Sequence, residues 1–100
     1  MNMQQMMIQA QKMQRELQKA QEALAKKEFK ANKAGLVEII VLGDKTIKSI
    51  NIEEDGFEPD NKEMVEDLIV SGLNELFEQI DKESEEINER ITGRSGGFGF

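Results

Sequence analysis

Cysteine, histidine, tyrosine and tryptophan are absent from this chain of 100 residues, and proline occurs once. Each absence closes off a class of function. Without Cys or His there is no disulfide, no thiolate or imidazole ligand for a metal, and no nucleophile–His pair. No GxGxxG or P-loop occurs, and the glycines of residues 93–99 lack the preceding strand and following helix that a phosphate-cradling loop needs. Carboxylate-only chemistry would require a pocket and a raised pKa, and the sequence offers no sign of either. The chain therefore reads as no enzyme, with no cofactor, no metal and no small-molecule substrate. No run approaches the roughly 20 apolar residues of a membrane span. The start, MNMQQMMIQAQKMQ, has no basic region, no continuous apolar stretch and no small-residue cleavage site. A soluble, cytoplasmic chain with no membrane partner is expected.

Charge is abundant and uneven. The net charge is −7, yet residues 1–33 carry seven basic groups (Lys12, Arg15, Lys19, Lys26, Lys27, Lys30 and Lys33) against Glu16, Glu22 and Glu28, a net of +4. Residues 34–60 come to −5 and residues 61–100 to −6. An acidic protein with a basic N-terminal face follows.

Residues 35–52, GLVEIIVLGDKTIKSINI, are the segment that the rest must pack against. Residues 36–42 are aliphatic and β-branched apart from Glu38, and the Gly43-Asp44 pair is a turn signal. Residues 46–52 form the second strand of an antiparallel hairpin. A two-residue loop would set Ile39 against Lys48. A four-residue loop over 43–46 sets Ile39 against Ile50 and Val37 against Ile52, apolar on apolar, and is preferred. In either register Val37, Ile39, Val41, Ile50 and Ile52 share one face. Leu36, Ile40, Leu42 and Ile47 share the other, among Glu38, Ser49 and Asn51. A hairpin apolar on both sides needs cover on both, which points to a partner subunit with Leu36, Ile40, Leu42 and Ile47 at the interface.

Before the hairpin, Met3, Met6, Ala10, Met13, Leu17, Ala20 and Leu24 recur at alternating three- and four-residue steps, an a/d seam of three heptads. The spacing predicts a helix over residues 2–26 whose seam seeks another helix, either this chain's second or one from another copy. Residues 28–33 alternate weakly and predict a short edge strand blunted by lysines. Residues 53–60, EEDGFEPD, read as a loop. Asn51, Glu53, Asp55 and Gly56 imitate the start of a calcium loop, but the twelfth position is Lys62 where a bidentate Glu is required, so a solvated acidic loop is the better account. Asp60 is placed to cap the next helix with Glu63 as its capping-box partner. Val65, Leu68, Ile69, Leu73, Leu76, Phe77 and Ile80 then form a stripe broad enough to cover a sheet. Beyond Ile80 it thins to Ile87 and Ile91, a helix end expected to project, fray or meet a partner. Gly93 is a plausible C-cap. Residues 1–92 read as one α+β domain, helix, three-stranded antiparallel sheet, helix, and 93–100 as a flexible Gly-rich tail with Phe98 and Phe100.

This order resembles the YbaB/EbfC family of bacterial nucleoid-associated proteins. The likeness rests on QAQKMQ in a Met/Gln-rich first helix, AGLVEI opening the sheet, KSINI on its last strand, EMVEDLIVSGLNE on the second helix and the Gly/Phe tail. The resemblance implies an intertwined homodimer with projecting helical arms. It also implies binding to double-stranded DNA with weak sequence preference, and a role in nucleoid organisation and gene regulation. On the positions of this sequence, Lys12, Arg15, Lys19, Lys26 and Lys27 are the candidates for DNA contact, with Lys30 and Lys33 near the base of the arm. The acidic second helix, with Glu78, Glu83, Glu85, Glu86 and Glu89, argues against contact from its C-terminal half. Without the resemblance, the lysines read more simply as a solvated helix face. The rival from another class is a holdase chaperone of the prefoldin type, or a protein-interaction module, using the Met-rich seam.

Overall fold

A computed structural model describes residues 2–93. The elements are α1 (Met3–Lys26), β1 (Glu28–Lys33), β2 (Val37–Leu42), β3 (Ile47–Ile52), two 3₁₀ turns (Glu54–Phe57 and Pro59–Asn61) and α2 (Lys62–Thr92). The strands form one antiparallel sheet in the order β1-β2-β3, so the expected helix, sheet, helix arrangement is the observed one. The Gly/Phe tail of residues 94–100 lies outside the described residues.

The preferred hairpin register holds over most of its length, with Val37 opposite Ile52 and Ile39 opposite Ile50. It then shifts at a bulge: Ile40 faces Ser49 but Val41 faces Ile47, leaving Lys48 as the extra residue. Ile47 therefore shares the face of Val41 instead of that of Ile40, contrary to the alternation expected from the sequence. The turn differs too. Lys45, not a glycine, takes the positive φ of 69°, and the Asp44 side chain accepts the Thr46 N–H at 2.9 Å. At the other hairpin, β1–β2, Ala34 and Gly35 are both left-handed, at φ 56° and 68°.

One sheet face is built to be covered. Val37, Ile39 and Val41 alternate with half-buried residues along β2 and are shut in completely. Phe29 stands opposite Val41 on β1. α2 lies over β1 and β2, and its stripe closes the core with Val65, Leu76 and Ile80 buried and Leu68, Ile69, Leu73 and Phe77 packed beside them. Gly72 lets the helix come close, because a Cβ there would stand 2.7 Å from Ile39 Cδ1.

The far end of α2 does not fray into solvent. Ile87 is buried against α1, which runs antiparallel to it with Leu24 buried and Leu17 and Ala20 packed beside the core. Gln21 Nε2 donates to Asn88 Oδ1 at 3.2 Å, and Ser84 Oγ donates to Gln21 Oε1 at 3.3 Å. Gly93 ends α2 in the left-handed conformation, its N–H donating to Glu89 O, as the C-cap reading requires. The N-terminal capping box is absent. Residues 59–61 turn before α2, and Asn61 at the cap position donates its side chain to Asp55 O instead. The outcome is a molecule 69 Å long and 24 × 15 Å across.

Candidate nucleic-acid interface

The first half of α1 is an arm. All of residues 2–16 are exposed, because α2 ends at Thr92, level with the middle of α1. The helix is started by Asn2, whose Oδ1 accepts the Gln5 N–H at 2.8 Å. Its first turns are rich in strong helix formers and contain no Gly or Pro.

Four cations line one side of α1, Lys12 and Arg15 on the arm and Lys19 and Lys26 on the half that packs against α2. At about 100° per residue, Lys12, Arg15, Lys19 and Lys26 fall within about 60° of one another around the helix. That stripe stands roughly opposite Met13, Leu17, Ala20 and Leu24, the side that turns toward α2. It extends for about 21 Å along the axis. All four are exposed and none takes part in an ion pair or side-chain hydrogen bond among the described residues. Glu22 stands at the edge of the stripe between Lys19 and Lys26, where its carboxylate accepts the Gln18 amide at 3.3 Å.

The other three basic candidates are placed differently. Lys27 pairs with Glu83 at 2.6 Å and lies over the Phe29 ring, 5.0 Å from its centroid. Lys33 donates to both carboxylate oxygens of Glu75 at 2.9 Å, and its side chain is mostly buried beneath α2. Lys30 is exposed and has no ion pair among the described residues, but it faces Ile40 across the strands and so belongs to the outer sheet face, away from the arm. The acidic side of α2 thus takes up two of the seven basic groups, and a third ion pair joins Asp81 to Lys45 at 2.7 Å. Lys48 pairs with Glu28 across the outer face.

The four apolar residues named for a partner subunit also separate. Ile40 and Leu42 are half-buried on the outer face, where no helix covers them among the described residues. Leu36 packs against the inner core, and Ile47 stands beside Val41, 46% exposed. α2 meets β3 only near Ile52, beside Val65 and Ile69, so Ile50 on the inner face and Phe57 just after the sheet are exposed as well. Sequence alternation does not reveal this second uncovered apolar patch, because it depends on where the helix lies across the strands.

Among the described residues, no side chains are grouped to hold a metal ion, no polar or charged residue is buried, and no helix is long and apolar enough to cross a membrane.

The sequence model of the YbaB/EbfC DNA-binding family matches residues 1–95. A nucleoid-associated protein of Enterococcus faecalis is 42% identical over 98 residues, covering 97% of this chain and 94% of its own. A nucleoid-associated protein of Clostridium novyi is 43% identical over 94 residues, covering 93% and 82%. One from Lactococcus lactis subsp. cremoris is 40% identical over 87 residues, covering 86% and 88%.

Proposed function

The chain belongs to the YbaB/EbfC DNA-binding family, and from that premise we propose that it is a nucleoid-associated protein of the cytoplasm. In this reading it binds double-stranded DNA as a homodimer through phosphate contacts from α1, organises the nucleoid and so modulates gene expression. The observation that carries the reading is the stripe of Lys12, Arg15, Lys19 and Lys26, four exposed cations on one side of α1 with no ion pair among the described residues, the first two of them on the arm, in a chain of net charge −7. A solvated helix face also sets its charges opposite the apolar side, but it holds acids as readily as bases; within this stripe there are only bases, with Glu22 at its edge. A phosphate backbone favours bases alone, and each phosphate neutralised releases a counterion, which gives affinity without base readout. Lys27, Lys30 and Lys33 are secondary in this scheme, since two are already paired and the third lies on the sheet. The homodimer is supported by the uncovered apolar residues: Ile40 and Leu42 outside, Ile47 and Ile50 along β3, and Phe57 just after it. Pairing of two copies also doubles the basic segment's charge.

The test is anisotropy titration of a labelled random duplex at low and moderate salt, with wild type and a Lys12→Glu, Arg15→Glu, Lys19→Glu variant shown by circular dichroism and light scattering to keep its fold and mass. Steep salt dependence in the wild type and no binding by the variant are expected. Equal binding by both proteins would move the interface off the arm. The second reading, a holdase, is favoured by the exposed Met3, Met6 and Met7. It predicts capture of unfolded chains with little response to salt.

A further inference from the structure

The tip of α1 has a different chemistry from the stripe below it. Residues 1–11 carry no charged side chain, and no acid precedes Glu16. Met3, Met6 and Met13 prolong the side that turns toward α2. Ile8 does not: at about 100° per residue it lies about 150° from that side, in line with Lys12, Arg15 and Lys19. It is 57% exposed and packs against no part of the core among the described residues. Its neighbours on the helix surface, three and four positions away in each direction, are Gln4, Gln5, Gln11 and Lys12. The three glutamine side chains make no hydrogen bond among the described residues.

We propose that this tip is a minor-groove contact, in which Ile8 wedges against a base step while Gln4, Gln5 and Gln11 meet the base edges. The inference rests on the DNA-binding reading above and adds to it a source of sequence preference. Apolar side chains that enter the minor groove unstack a step, and the amides around them read its A·T versus G·C pattern. Lys12 and Arg15, about 6 and about 10 Å along the axis from Ile8, would fix on the phosphates where the wedge falls. The positive N-terminal end of α1 points the same way. An anionic bilayer also accepts cations and apolar side chains together, but a helix lying on it separates them onto opposite faces. The exposed Met3, Met6 and Met13 keep to the side opposite the cations, as on a bilayer, whereas Ile8 shares the side of the cations, as at a duplex. Steps that unstack easily, pyrimidine followed by purine, should be preferred.

Two end-labelled duplexes of equal length test this. One is A·T-rich with 2-aminopurine beside a central TA step, and the other is G·C-rich. The proteins are wild type, Ile8→Gln, Ile8→Leu and, as a control on α2, Val70→Gln, all checked for helix content by circular dichroism. Wild type, Ile8→Leu and Val70→Gln should favour the TA duplex several-fold, brighten 2-aminopurine and draw the duplex ends together by energy transfer. Ile8→Gln should lose the brightening and the preference, while its salt slope, set by the cations, stays. If Ile8→Gln brightens and discriminates like wild type, the wedge is overturned and the phosphate reading stands. If wild type binds neither duplex at low salt, both readings are overturned. Capture by phosphatidylserine vesicles instead of duplex, lost in Ile8→Gln, would overturn the wedge in favour of a membrane.

Discussion

Gly43 passes directly beneath Leu24. A Cβ on Gly43 would stand 1.7 Å from the Leu24 carbonyl oxygen and 2.6 Å from its carbonyl carbon, and the Gly43 N–H donates to Lys27 O at 2.9 Å. Both sides of the contact are backbone, so neither can rotate aside. Gly43→Ala must push the last turn of α1 off the end of β2, at a cost of about 1–3 kcal/mol on the scale of overpacked cores. Urea unfolding should show a lower midpoint at unchanged m. A midpoint equal to wild type would mean that α1 is not held there.

The seam of α1 should divide in its energetics as it does in its packing. Leu24→Ala removes a buried side chain and should cost about 2–5 kcal/mol. Met6→Ala lies on the same side of the same helix but is exposed, and should change stability by less than about 0.5 kcal/mol. Urea midpoints of the two variants, measured at one protein concentration, decide the matter. A destabilisation at Met6 comparable to that at Leu24 would reveal a second helix over the arm.

Acid should weaken the sheet through two exposed carboxylates. Hydrogen bonding by the Thr46 side chain and then by its N–H holds Asp44 below its ordinary 3.8. The hydrogen bond from Lys48, and then its charge, hold Glu28 below its ordinary 4.5. A folded-state pKa that is depressed gives stability that is complete above the unfolded value and is lost as pH falls through the folded one. Both contributions are therefore present at neutral pH and disappear in acid, below 4.5 for Glu28 and below 3.8 for Asp44. Asp44→Asn can still accept the Thr46 N–H but cannot titrate, so its urea midpoint should fall less steeply with acid than that of wild type. Parallel falls would remove Asp44 from the account.

Much of this fold is legible in the sequence because its patterns are local. The 3.6-residue stripe from Val65 to Ile80, the alternation of Val37, Ile39 and Val41, and the left-handed Gly93 each announce themselves within a few residues. What escapes is what depends on tertiary placement. Gly43 reads as turn chemistry, yet its small size serves the passage beneath Leu24. Ile47 changes face because of one bulged residue, Lys48. Lys27 and Lys33 look like their neighbours Lys12 and Lys26, and only the course of α2 brings Glu83 and Glu75 onto them. Charge and spacing reveal the stripe, whereas the division between free and engaged cations waits on the packing of α2.

That division should appear in the salt dependence of DNA binding. Replacing Lys12, Lys19 or Lys26 by Gln should lower the slope of log affinity against log salt by about 1 for each phosphate that is no longer neutralised. Lys27→Gln and Lys33→Gln remove cations already neutralised by Glu83 and Glu75, and should leave the slope close to wild type. They should act on stability instead, Lys33→Gln more than Lys27→Gln because Lys33 is the more buried. Slopes that fall equally for all five would place the paired lysines on the DNA as well.

Ile40 offers the most direct test of the homodimer. It is half-buried between Lys30 on β1 and Ser49 on β3, on the sheet face that no helix covers among the described residues. In a lone protomer, Ile40→Lys costs little, because the long side chain can lie along the strand with its ammonium in water. Against a second sheet the same ammonium would be buried without a counter-charge, a penalty of several kcal/mol. Light scattering should therefore give dimer mass for wild type and monomer mass for the variant, with far-UV circular dichroism unchanged. If the variant remains a dimer, the outer face is not the interface. Ile50→Lys, on the uncovered inner edge of β3, then becomes the variant that should dissociate it, since α2 leaves Ile47, Ile50 and Phe57 as the other exposed apolar surface of the sheet.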